Sequence, residues 1–135
     1  MISLSAWPDV SGRSSSIRSA SNGRGIFHRA EALLAAIRVL RDRGPSLGRP
    51  LVDTVKASRH PNMKELRPGS TGRTEIRVLF AFDRARMAIL LVGGDKSADW
   101  SGWYAANIPI ADDRFEKHQA ALGATSDATR KRKRR

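Results

Sequence analysis

Residues 74–96, TEIRVLFAFDRARMAILLVGGDK, decide the fold. The first half alternates, with Ile76, Val78, Phe80 and Phe82 on one side and Glu75, Arg77, Leu79 and Ala81 on the other, the period of two of an extended strand. The second half, residues 86–93, is apolar on both faces, as a strand covered from both sides would be. Between them Asp83-Arg84-Ala85-Arg86 is too short for a crossover, so the two strands are antiparallel neighbours. Upstream, residues 62–67 (NMKELR) read as another strand. They are separated from the first pair by the turn cluster Pro68-Gly69-Ser70-Thr71-Gly72, which has hairpin length.

Helices flank this core. From His28, Ala30, Leu33, Leu34, Ile37 and Leu40 recur at helical spacing, with Arg29, Glu31, Arg38 and Asp42 on the other side. Gly44-Pro45 ends that helix, because Gly tolerates the left-handed cap and Pro cannot continue the bonding. A loop to about Pro61 is expected next, with a short helical turn near residues 51–57. After Gly94-Asp95-Lys96 the chain turns helical around Trp100, Trp103 and Tyr104. Pro109 is read as opening a final helix to about Leu122, with Asp112 and Asp113 complementing its dipole. The pattern describes an α/β (α+β) fold: a helix packed on a three- to four-stranded antiparallel sheet, with a C-terminal helix. Residues 26–123 form the domain. Residues 1–25 read as a disordered leader, since 11–25 hold six Ser, three Arg and three Gly, a single isoleucine, Ile17, and no acid. Residues 124–135 read as a disordered basic tail.

Composition narrows the function. The 135 residues contain 25 Lys plus Arg against 13 Asp plus Glu, a net charge of +12. The six basic residues 130–135 account for half of it, so the body is itself basic. Such a chain calls for a polyanionic or acidic partner, nucleic acid first. No Cys is present, which excludes disulfides, thiol nucleophiles and Cys-held metals. His28, His60 and His118 lack paired ligand spacing, so no metal is expected. The longest apolar runs are six residues, far below the ~20 a membrane span needs.

The remaining chemistry is cationic. Lys64 and Arg67 lie on the first strand, Arg73 and Arg77 at and within the second, and Lys96 just past the third. Antiparallel pairing would bring several together, and guanidinium groups bind phosphate through two parallel hydrogen bonds. Arg77 has two readings, an exposed face position or a phosphate contact. Trp100, Trp103 and Tyr104 sit at helical spacing, which suits core packing as well as stacking on a base.

These residues resemble the RelE/HigB toxins of bacterial type II toxin-antitoxin systems. The likeness runs through Lys64-Glu65-Leu66-Arg67, Gly72, residues 76–83, 88–92 and Gly94-Asp95-Lys96, and on through residues 100–110 to Phe115, Glu116 and His118, as in a HigB-like actinobacterial branch. It covers about residues 28–122. The resemblance implies a cytoplasmic, cofactor-free and metal-independent endoribonuclease that cuts messenger RNA on the ribosome and thereby inhibits translation. Its partners would be mRNA, the ribosome and a cognate antitoxin of helix-turn-helix type, and no membrane. It assigns Lys64, Arg67, Arg77 and Lys96 to catalysis, and Arg73, Trp100, Tyr104 and His118 to RNA contact. His118 and Tyr104 compete for the place of the family's C-terminal histidine or tyrosine. The chain also departs from the family, because residues 1–25 show no strand or helix pattern where a strand and a helix are normal. The other reading is a catalytically inert relative that binds its antitoxin or RNA without cleavage.

Overall fold

The computed structural model describes residues 2–3, 23–69 and 74–134. Five strands form one sheet: β1 (Ile2–Ser3), β2 (Val52–Thr54), β3 (Lys64–Leu66), β4 (Ile76–Phe82) and β5 (Ala88–Asp95), in the order β1-β5-β4-β3-β2. Strands β2 to β5 are antiparallel, and β1 joins β5 in parallel, Ile2 opposite Ala88. Helix α1 (Gly23–Arg43) covers one face and α2 (Trp100–Lys133) the other.

The alternation on β4 explains this sandwich. Val78 and Phe80 pack with Ala88, Leu90 and the α1 residues Ala36 and Leu40. Leu79 and Ala81 pack with Ile89 and Leu91 and with Ile108, Ala111 and Phe115 of α2. Burying a side chain such as Phe115 contributes about 1.5–3 kcal/mol. A bulge breaks the β4–β5 register: Leu79 faces Val92 and Phe80 faces Leu90, so Leu91 has no opposite number. The Leu91 carbonyl accepts a 2.6 Å hydrogen bond from Arg114 Nη1 of α2 instead. Because of that extra residue Val92 and Gly94 sit on the α2 face, opposite Leu79 and Arg77.

The β4–β5 turn is held by Asp83, whose Oδ1 accepts the N–H groups of Ala85 and Met87 at 2.8 and 3.0 Å. Arg86 takes φ 62° there, a conformation unfavourable for a side chain with a Cβ. Gly44 stops α1 at φ 60°, as its sequence position requires.

Several expectations are corrected. α1 starts at Gly23, inside the segment read as a disordered leader, and Ile2–Ser3 supplies an edge strand where none was legible. The rest of the leader lies outside the described residues. Residues 52–54 form β2 rather than a helical turn, because Val52 and Thr54 find partners in Leu66 and Lys64. Helix α2 starts nine residues before Pro109, since Asp99 caps it by accepting the Gly102 N–H at 3.0 Å, and Pro109 lies inside. Asp112 and Asp113 are therefore mid-helix. Buried Asp112 accepts the Ser58 hydroxyl and the Arg59 N–H, pinning that loop to α2, while Asp113 and Glu116 pair with the Arg59 guanidinium. The helix also runs past Leu122 to Lys133, so residues 124–133 are its last turns, with exposed side chains.

Candidate active site

The α2 face of the sheet carries a polar cluster at the end where β4 begins. Register puts Asp53 beside Glu65 on β2 and β3, and Arg77 beside Gly94 on β4 and β5. Arg67 follows Glu65 on the same face. Just past β5, the Lys96 N–H donates to the Glu75 carbonyl at 3.1 Å, which draws Lys96 toward the start of β4. The first turn of α2 closes the cluster from above with Trp100 and Tyr104. A Cβ on Gly94 would stand 2.5 Å from the Trp103 indole nitrogen, so a glycine here is what lets α2 lie this close.

Glu65 is the centre of the arrangement and is 4 % exposed. Its Oε1 accepts from Arg67 Nε at 2.7 Å, and its Oε2 accepts from the Tyr104 hydroxyl at 2.6 Å. Arg67 also reaches Asp53 at 3.1 Å, and Asp53 in turn holds Arg49 at 2.9 Å. Burial alone would lower the Arg67 pKa, but the hydrogen bond and charge of Glu65, with Asp53, keep it above its ordinary value. The Tyr104 hydroxyl is pushed up to about 12 by burial and by Glu65. It therefore stays protonated and donating at neutral pH.

Arg77 and Lys96 form the other half. The Arg77 side chain is 12 % exposed. Its Nη1 donates to the Ile76 carbonyl at 2.8 Å, Nη2 lies 3.9 Å from Glu75, and its buried Nε has no partner. Lys96 is 5 % exposed, with Nζ 4.9 and 5.3 Å from the ring centres of Trp100 and Tyr104. Burial, then the neighbouring Arg77 charge, lower its pKa, so proton loss is easier than for an ordinary lysine. Chemically the cluster pairs a guanidinium with spare hydrogen-bonding capacity with an amine that gives up its proton more readily than an ordinary lysine.

The model of the family described as phage derived protein Gp49-like (DUF891) matches residues 28–116, a span that includes every element of the cluster. The chain belongs to this Gp49-like family, a RelE/HigB-like toxin family. It is 56 % identical over 103 residues to "Putative toxin HigB2" of Mycobacterium tuberculosis, covering 76 % of this chain and 51 % of the relative. It is also 56 % identical over 90 residues to "Putative toxin HigB3" of the same organism, covering 67 % of this chain and 76 % of the relative. The chain thus spans about half the length of the first relative. No solved structure gives a significant match.

Of the residues singled out in the sequence, this Gp49-like fold gathers Arg67, Arg77, Lys96, Trp100 and Tyr104 at one end of the sheet. Trp100 is 61 % exposed and packs edge-on against Tyr104, leaving ring surface open. Lys64 is not in the cluster, since it points to the α1 face with Nζ 6.0 Å from the Phe82 ring. His118 is also elsewhere: its Nε2 lies 2.8 Å from Asp83 Oδ2, beyond the far end of β4, about 20 Å from Arg77 along the strand. Arg73 lies outside the described residues. Glu65 and Asp53 were missed, although a glutamate two residues before Arg67 shares its strand face and was the available signal. Among the described residues no group of three or more His, Asp or Glu side chains is placed to hold a metal ion, and no helix is long and apolar enough to cross a membrane.

Proposed function

We propose that this Gp49-like protein is the toxin of a type II toxin-antitoxin pair and cleaves messenger RNA at the ribosome without a metal ion. The observation that carries the reading is Arg77, a nearly buried guanidinium with an unpartnered Nε, set beside a buried lysine whose pKa is lowered by burial and by the Arg77 charge. In the proposed reaction neutral Lys96 takes the proton of a ribose 2'-hydroxyl. The 2'-oxygen then bonds to the adjacent phosphorus, and the bond from phosphorus to the 5'-oxygen breaks. The products are a 2',3'-cyclic phosphate and a 5'-hydroxyl, whose oxygen takes its proton from water. Arg77 meets the charge that builds on the phosphoryl oxygens, where such donors contribute most. Trp100 stacks on a base beside the scissile bond. Arg67 acts through its neighbours, since Glu65 and Asp53 already occupy its guanidinium. The antitoxin, of helix-turn-helix type, neutralises the toxin by covering this basic end.

Inducible expression in a bacterial host tests the reading. The chain should arrest growth, and Arg77→Ala should not, at equal soluble protein levels. Unimpeded growth with soluble, folded parent protein would contradict it. The occupied Arg67 favours one other reading, an inert relative that only binds its antitoxin or RNA, and in that case the two strains grow alike.

A further inference from the structure

We propose a second, separate RNA-binding element: the last turns of α2, which grip the phosphate backbone of duplex RNA without regard to sequence. The last buried side chain of α2 is Phe115, and Leu122 and Gly123 are the last half-buried residues. From Ala124 to Arg134 every side chain is exposed. This shaft is about 16 Å long at 1.5 Å per residue. It is slender, with Ala124 and Ala128 along it, and the Thr125, Ser126 and Thr129 hydroxyls donate back to carbonyls of the helix itself at 3.0–3.1 Å.

Its tip is Arg130, Lys131, Arg132, Lys133 and Arg134 in succession. At 100° per residue five consecutive cations surround the helix. A flat anionic surface can meet only one side of such a tip. A duplex groove offers phosphates on both walls, so the geometry favours a duplex over a membrane or an acidic protein face. A second basic feature stands at the root of the shaft, where Arg84 on the exposed β4–β5 turn lines a shallow cleft with Leu122, Thr125 and Ser126. This end of the molecule is the one away from Arg77 and Lys96, as β4 separates them by about 20 Å. Contacts here anchor RNA while the cluster at the other end stays free for chemistry. The choice of RNA over DNA rests on the function proposed above, while the duplex grip itself does not.

Binding of the full chain to a fluorescent RNA hairpin, free of ribosomes, tests the inference. Three proteins are compared: the parent, Arg38→Gln, and a variant carrying Arg130→Gln, Lys131→Gln, Arg132→Gln, Lys133→Gln and Arg134→Gln together. Glutamine is a good helix former, and circular dichroism confirms that the shaft persists. The five-fold variant should lose about tenfold or more in affinity, and its dependence on log salt should become shallower by about four units. Arg38→Gln, a cation removed from the exposed side of α1, should bind as the parent does. Unchanged affinity and salt slope in the glutamine variant would overturn the proposal, as would equal loss in Arg38→Gln or stronger binding to phosphatidylserine vesicles than to the hairpin. A DNA duplex of the same sequence bound more tightly than the RNA would overturn the choice of RNA. If the parent proves unable to cleave mRNA yet the hairpin results hold, the nuclease reading fails and this one stands.

Discussion

The Tyr104 hydroxyl on α2 donates to Glu65 Oε2 on β3 across 2.6 Å, tying the helix to the sheet directly over the cationic cluster. Tyr104 is the one tyrosine in the chain, so its ionisation can be followed without overlap. Spectrophotometric titration should give a phenolate midpoint near 12. Glu65→Gln should bring it down toward the ordinary 10.0. Because the folded value is the raised one, the stabilisation is complete below pH 10.0 and is lost as pH rises toward 12. A midpoint at the ordinary value in the parent would show that the contact does not form.

Lys96 responds to Arg77. Its folded pKa is lowered by burial and by the Arg77 charge, so protonated Lys96 costs folding free energy that is relieved as pH rises through the lowered value. Arg77→Ala removes a cation and admits water, and both changes raise the Lys96 pKa. Side-chain NMR titration of the two proteins should show an upward shift in the variant. A downward shift, or none, would separate the two residues.

Most of the sheet was legible because β4 and β5 are long enough for periodicity to show and are joined by a short turn of five residues, 83–87. β2 was not, since three residues, Val52, Asp53 and Thr54, carry no pattern of their own and become a strand only through pairing with β3. Pro109 misled because a proline favours a first turn locally, whereas the Asp99 cap and the packing of Ile108 and Ala111 start the helix earlier. For the site, cation types and rough neighbourhood could be read, but facing could not. Alternation along β3 sets Glu65 and Arg67 on one side and Lys64 on the other, but which side meets α2, and that Glu65 closes on the Arg67 guanidinium at 2.7 Å, is settled by tertiary packing.

The close approach of α2 at Gly94 gives a stability prediction. Gly94→Ala places a methyl group 2.5 Å from the Trp103 nitrogen, and the indole must move. Urea unfolding should report a loss of about 1–3 kcal/mol, the usual cost of overpacking. A variant as stable as the parent would mean that the helix does not sit against the sheet here.

Acid stability should depend on Asp83. Burial would raise its pKa, but the His118 contact and the N–H groups of Met87 and Ala85 outweigh that and hold it below 3.8. Its contribution is present above pH 3.8 and is lost as pH falls through the lowered value. Asp83→Asn should therefore reduce stability at neutral pH and flatten the decline below pH 4, read from denaturation midpoints across pH. An unchanged acid limb would contradict the assignment.

The most direct test of the central claim is primer extension on a reporter mRNA in a reconstituted translation reaction, run with parent and Arg77→Ala protein, with and without ribosomes. New 5' ends should appear only with the parent and only with ribosomes present, falling by about 10²–10³-fold in the variant. Folded parent protein that yields no new ends, or ends that survive loss of Arg77, would contradict the account.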